Sequence, residues 1–185
     1  MNIPFIVLVV VVVVVIALYN SLVAKKNEVE NILGSVDVLL KKRYDLIPNL
    51  VEVAKKYMKY EQELLKEIVA LRSQALQRKG ARDENIAIEE QFSKMLGSLM
   101  VAVENYPELK ANEHFLHLQH ALMEIEEQLS AARRAYNQAV TDYNNALEMI
   151  PTNIIASMMH YQKKELYAIE SAQRENVHIG KLFGN

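Results

Sequence analysis

The stretch Phe115–Ile150, FLHLQHALMEIEEQLSAARRAYNQAVTDYNNALEMI, decides the fold. Its positions Phe115, Leu118, Leu122, Ile125, Leu129, Ala132, Tyr136, Ala139, Tyr143, Ala146 and Ile150 are separated alternately by three and four residues. On an α-helix that spacing gathers them into one stripe. A stripe sustained this long is the seam of a bundle or coiled coil. Pro151 then stops the pattern, because it lacks the N–H that a helix interior needs.

Working outward, a fourth helix is expected over about Thr152–Glu175, carrying Ile155, Met159, Gln162, Leu166 and Ile169. Residues 176–185, with two Gly, are expected to form a flexible tail. On the other side, Asn105-Tyr106-Pro107 ends a helix over about Asp83–Glu104, with Asp83 as N-cap candidate and Phe92, Met95 or Leu96, Leu99 and Val103 on its face. Before it, Leu22 to about Gln77 forms one long pattern through Leu22, Val29, Ile32, Val36, Leu39, Leu46, Leu50, Val53, Tyr57, Tyr60, Leu64, Ile68 and Leu71. Lys25 and Arg43 interrupt this stripe, Gly34 weakens it, and Pro48 predicts a kink near Asp45–Ile47. Arg78-Lys79-Gly80 is the expected end. Four helices with short connections bury their stripes best as an antiparallel, up-and-down bundle, so the class is all-α. The first helix is too long for its partners. Part of it must project, kink or pack against another chain.

At the N-terminus, Ile3–Leu18 reads IPFIVLVVVVVVVIAL, and no charged side chain occurs from Met1 to Ala24. This is a membrane segment, short for a hydrocarbon core of ~30 Å but extended by Tyr19, Leu22 and Val23. Pro4 falls in the first turn, where its missing N–H costs little. A cleaved signal peptide would need a basic start and a small-residue cleavage site; the first is absent and Val15-Ile16-Ala17 is a weak version of the second. Basic residues follow the span at Lys25, Lys26, Lys41, Lys42 and Arg43 and none precedes it, which favours an outside N-terminus and a cytoplasmic domain. The expected organisation is an anchor over 1–24, a helical bundle over 25–175 and the tail over 176–185.

Composition narrows the chemistry. Net charge is −2, so no basic excess points to nucleic acid. There is no Cys, which excludes disulfides, thiolate metal sites and a Cys nucleophile. Four Pro and five Gly in 185 residues suit a mostly helical chain. No P-loop, GxGxxG, GxSxG or HExxH occurs. No catalytic, cofactor-binding or metal-binding residue is assigned on these grounds.

Polar residues remain to be explained. Arg43 lies on the apolar stripe and needs a carboxylate, with Glu124 or Glu126 as candidates. Asp37, Asp45, Asn49, Gln119, Arg133, Asn137 and Asn144 are placed for inter-helix hydrogen bonds that set register, in preference to a polar pocket. His114, His117 and His120, with Glu124 one turn on, would offer a divalent metal a face. No Glu-x-x-His accompanies them and they lie off the seam, so solvated histidines are the favoured reading. Most methionines fall on or beside apolar stripes and read as core; the Met149–Met159 segment is the exception, a contact patch to test.

Several stretches resemble the LemA family of membrane-anchored bacterial proteins. The densest is Asp37-Val38-Leu39-Leu40-Lys41-Lys42-Arg43-Tyr44-Asp45-Leu46-Ile47-Pro48-Asn49-Leu50-Val51. Tyr19-Asn20-Ser21-Leu22-Val23, Glu104-Asn105-Tyr106-Pro107-Glu108-Leu109-Lys110-Ala111, Phe115 with Leu118-Gln119, Arg133-Arg134-Ala135-Tyr136-Asn137 and Tyr143-Asn144 follow in order and spacing. The resemblance implies a single-pass anchor followed by an antiparallel four-helix bundle, with no established enzymatic activity and some members linked to magnetosome membranes. It marks Asp37, Arg43, Asp45, Pro48, Asn49, Tyr106, Pro107, Gln119, Arg133, Tyr136, Asn137, Tyr143 and Asn144 as a structural motif. The Ser157–His160 stretch and the residues after Glu175 depart from the family's usual aromatic-rich ending.

Two functions follow. One is a non-enzymatic scaffold at the lipid bilayer that self-associates as a homo-oligomer or recruits other membrane proteins, organising or remodelling the membrane. The other is a metal-binding or ligand-sensing domain using the His114–Glu124 face. Calorimetry with divalent metal, repeated with the three His replaced by Ala, separates them.

Overall fold

The computed structural model describes residues 2–77 and 82–167, and structural statements refer to these. They form six helices and no strand: α1 (Ile3–Lys55), α2 (Gln62–Gln77), α3 (Arg82–Val103), α4 (Pro107–Lys110), α5 (Glu113–Glu148) and α6 (Thr152–Met158). The all-α class with a long apolar N-terminal helix is as the periodicity requires. The expected N-cap side chain of Asp83, the helix end at Arg78-Lys79-Gly80 and the tail after 175 lie outside what is described.

Helix α1 is unbroken for 53 residues. Residues 3–17 are exposed throughout. From there on a seven-residue repeat is buried, Leu22, Val29, Val36, Arg43 and Leu50, with Leu40, Ile47 and Ala54 beside it. Helix α5 buries the same repeat in Phe115, Leu122, Leu129, Tyr136 and Tyr143. Sevenfold spacing is the coiled-coil rule for keeping one seam toward a partner. Pro48 is exposed, and the helix continues through it.

Two elements differ from expectation. The first long helix ends at Lys55, not near Gln77. The amides of Lys56 and Tyr57 bond to carbonyls three residues back, tightening the end, and the chain turns before α2. Neither Gly nor Pro marks this break. The turn buries Met58 completely and leaves Tyr60 92% exposed, so the apolar phase resets to Leu65, Ile68 and Leu71. The fourth helix likewise ends at Met158 instead of Glu175. His160 takes a left-handed φ of 52°, and residues 161–167 are not helical. Expected stripe members Met159, Gln162 and Leu166 are exposed, as is Ile150 at the end of the α5 seam; Ile169 lies outside the described residues. The Ile150–Pro151 peptide bond is cis.

The chain divides into two compact units. The first joins Met1–Leu46 to Gln119–Leu166. Within it α1 and α5 run antiparallel: Arg43 meets Glu126, and Leu22 clusters with Ala146 and with Ala156 of α6. Leu147, Ile155 and Tyr161 pack against that cluster. The second unit holds Ile47–Leu118 and, as its last described residue, Tyr167. Its core is built from Leu50, Val51, Ala54 and Met58, then Leu65, Ile68 and Leu71 of α2, Ile88, Phe92, Leu96, Leu99 and Val103 of α3, Leu109 of α4 and Phe115. Helix α2 packs on α3, and the short α4 on the end of α3.

Candidate functional site

In the first unit, three side chains of α5 hold the segment that follows α6. Asn144 reads both backbone groups of one residue: its Nδ2 donates to the Lys164 carbonyl at 2.8 Å, and its Oδ1 accepts from the Lys164 N–H at 3.0 Å. Tyr143 Oη donates to the Gln162 carbonyl at 3.3 Å and Tyr136 Oη to the Glu165 carbonyl at 3.2 Å. Both tyrosine rings are buried while their hydroxyls reach the non-helical backbone. Each such bond contributes about 0.5–1.5 kcal/mol net, and leaving its buried partner unmet costs more. Burial pushes the Tyr143 phenol pKa up, with Tyr161 and the Glu30 carboxylate adding to it.

Charged groups flank this clasp. Lys164 Nζ lies 3.4 Å from Glu30, Lys163 pairs with Glu148, and Lys26 sits 5.6 Å from the centre of the Tyr161 ring. Exposed pairs of this kind are worth about 0–1 kcal/mol each. The Arg43–Glu126 pair is different. Arg43 is 2% exposed, and its Nη2 lies 3.1 Å from Glu126 Oε2. Of the two expected carboxylates, Glu126 is the partner. A guanidinium in an apolar seam is costly to bury, so its pairing fixes which residues of α1 and α5 face each other.

In the second unit a shallow cleft is lined by Lys56, Tyr57, Lys59, Asn105, Tyr106, Pro107 and Glu108. Tyr106 Oη donates to Glu61, and that bond, ahead of burial and the carboxylate's charge, raises the phenol pKa. Pro107 opens α4. Asn112 caps α5, accepting from the Phe115 N–H at 3.0 Å, and donates to Tyr57 Oη at 3.2 Å.

The structure thus separates the motif residues. Arg43, Tyr136, Tyr143 and Asn144 work together in the first unit, and Tyr106 with Pro107 in the second. Asp45 does not bridge helices; it pairs within α1 with Lys41 at 2.6 Å. Asp37, Pro48 and Asn49 are exposed, and Gln119, Arg133 and Asn137 are half-buried. The Asn137 carbonyl accepts from Thr141 Oγ1 at 2.8 Å. His114, His117 and His120 are exposed on α5, and among the described residues no group of three or more His, Asp or Glu is placed to hold a metal ion. Sequence reasoning missed Tyr57, Glu61 and Asn112, and the buried Glu89. Asn112 carried a usable signal, a capping residue ahead of the acidic Glu113 and the apolar seam.

The side-chain bonds described in both sites run to backbone atoms and to other side chains of the same unit, an arrangement that holds segments in place. Residues 33–180 match the LemA family. Protein LemA of Metamycoplasma hominis is 23% identical over 163 residues, 88% of this chain and 74% of that protein. Magnetosome protein MamQ 2 of Paramagnetospirillum magneticum is 20% identical over 190 residues, 89% of this chain and 70% of that protein. Magnetosome protein MamQ of Magnetospirillum gryphiswaldense is 20% identical over 174 residues, 80% of this chain and 64% of that protein. The match takes in the Arg43 seam, the Tyr106 cleft and the Tyr143–Asn144 clasp together, and the chain belongs to the LemA family.

Proposed function

We propose that this protein is a non-enzymatic, membrane-anchored helical scaffold that self-associates or recruits other membrane proteins at a bacterial membrane. The observation that carries the reading is the continuity of α1. Its first part is apolar and exposed to its surroundings, and the same helix, without a break, supplies a buried face of the folded chain. An anchor coupled rigidly to a folded element suits a protein whose task is to position surfaces at the bilayer. A shallow groove on α1 beside Asn31, Gly34, Ser35, Val38 and Leu39 offers small and apolar contacts for a second chain, with Val38 55% exposed. Lys25, Lys26, Lys41 and Lys42 after the span support a cytoplasmic domain and an outside N-terminus. The magnetosome proteins among the relatives support a role in membrane organisation or remodelling.

The test is the mass of the full-length protein extracted in mild detergent, by light scattering and electron microscopy. A defined multi-chain assembly is expected. A monomer at all concentrations would overturn self-association and leave recruitment of a different partner.

A further inference from the structure

The turn between α5 and α6 exposes an apolar surface that the fold does not use. Met149 is 63% exposed, Ile150 82%, Ile154 60% and Met158 75%. No charged side chain occurs from Met149 to Met159. Most polar groups here are satisfied internally, the buried Asn153 Oδ1 excepted. Thr152 Oγ1 lies 2.6 Å from the Ala146 carbonyl and 2.9 Å from that of Met149. The amides of Met149, Asn153, Met159 and Tyr161 bond to carbonyls of the same segment, and Pro151 has no N–H to satisfy. Such a surface can meet lipid at little cost, since hydrocarbon tolerates only backbone that is already bonded.

Register within this unit says where the surface lies. From the Arg43–Glu126 pair to the Leu22–Ala146 contact, α1 steps back and α5 steps forward by nearly equal numbers of residues. Continued by one turn, that register sets Ile150 about level with Leu18, the last residue of the strictly apolar run and the first half-buried residue of α1. The apolar run alone is ~24 Å long at 1.5 Å per residue, short of a ~30 Å core, so the hydrocarbon boundary falls between about Leu18 and Val23. The exposed Met149, Ile150, Ile154 and Met158 therefore lie at that boundary, with Lys25 and Lys26 one to two turns further along α1, at headgroup height.

We propose that the α5–α6 turn is a second membrane contact, seated in the headgroup–acyl boundary of the leaflet from which α1 emerges. This rests on the proposed crossing by the N-terminal part of α1. The occupant is lipid, because the patch is continuous with the bilayer-facing surface of α1 and carries no charge to select a protein partner. Its effect is to pin α5 to the membrane at a second point, so that the first unit cannot swing freely about its anchor.

The protein has no Trp, so single tryptophans report cleanly. Full-length protein is reconstituted in vesicles with and without lipids brominated near the headgroup end of the acyl chain, which probe the turn, or near its methyl end, which probe the span. Val12→Trp reports the span, Ile150→Trp and Ile154→Trp the turn, and Met123→Trp an exposed site ~39 Å along α5. Quenching of the two turn variants at least threefold above that of the Met123→Trp protein, together with quenching of the Val12→Trp protein, is the expected result. Quenching in the span without the turn overturns this proposal and leaves the anchor standing. No quenching in the span overturns the anchor and with it this proposal. A blue-shifted but unquenched turn that cross-links to a second chain makes the patch a contact between copies and also overturns it.

Discussion

Arg43 and Glu126 set the clearest expectations for single residues. Truncating Glu126 to Ala leaves a guanidinium in an apolar seam without that carboxylate. Because Glu126 is 44% exposed and water can move in, the cost is about 1–3 kcal/mol rather than the full value of a sealed pair. Urea unfolding of the full-length protein in detergent should show it. Restoring an apolar seam with Arg43→Met in the same chain should recover most of the loss. Asn144→Ala removes two bonds to one residue and should cost about 1–3 kcal/mol, read directly as faster hydrogen exchange at the Lys164 amide. The phenols of Tyr106 and Tyr143 are both raised above the ordinary value of about 10. Their proton leaves the unfolded chain first, so their contribution is complete below about pH 10 and is lost as pH rises through the folded values. Thermal midpoints should be insensitive to these groups near neutrality and fall in alkali. Tyr143→Phe should lessen that fall.

At the scale of elements, α1 is the test of how a long helix tolerates its weak points. A Cβ added at Gly34 meets nothing within 4 Å. Gly34→Ala should therefore stabilise the chain by about 0.5–1 kcal/mol through lost unfolded-state freedom. If the groove beside it receives a second chain, the same change should raise the unfolding midpoint while weakening the assembly seen by light scattering. Periodicity predicts the α5 seam and the Leu22, Val29, Val36 and Leu50 line of α1, because a helix stripe is a property of consecutive residues. Beside that line the structure buries Leu40, Ile47 and Ala54, while the expected Leu39, Leu46 and Val53 are half-buried. Periodicity extended α1 through residues 56–61, where nothing local breaks a helix. What ends α1 there is the burial of Met58 and the bonds from Tyr106 to Glu61 and from Asn112 to Tyr57, partners more than forty residues away. The fourth helix was over-extended for the same reason. The backbone of 162–165 gives its carbonyls to Tyr136, Tyr143 and Asn144 in place of its own helix.

For the whole molecule, the proposed anchor and orientation make one further expectation. A cysteine replacing the exposed Gln77 should resist a membrane-impermeant thiol reagent in intact cells and react after permeabilisation. Ready labelling of intact cells would place the domain on the other side. What the sequence determined unaided is whatever depends on neighbours along the chain: the apolar span, the helical class, the seams of α1 and α5 and the need of Arg43 for a carboxylate. Tertiary structure alone decided that α1 stops at Lys55 and α6 at Met158, which of Glu124 and Glu126 is used, and that the motif polar residues clasp a non-helical segment. Those choices turn on burial and on long-range hydrogen bonds, whose free energies exceed the few tenths of a kcal/mol per residue, roughly, by which local propensity separates helix from turn.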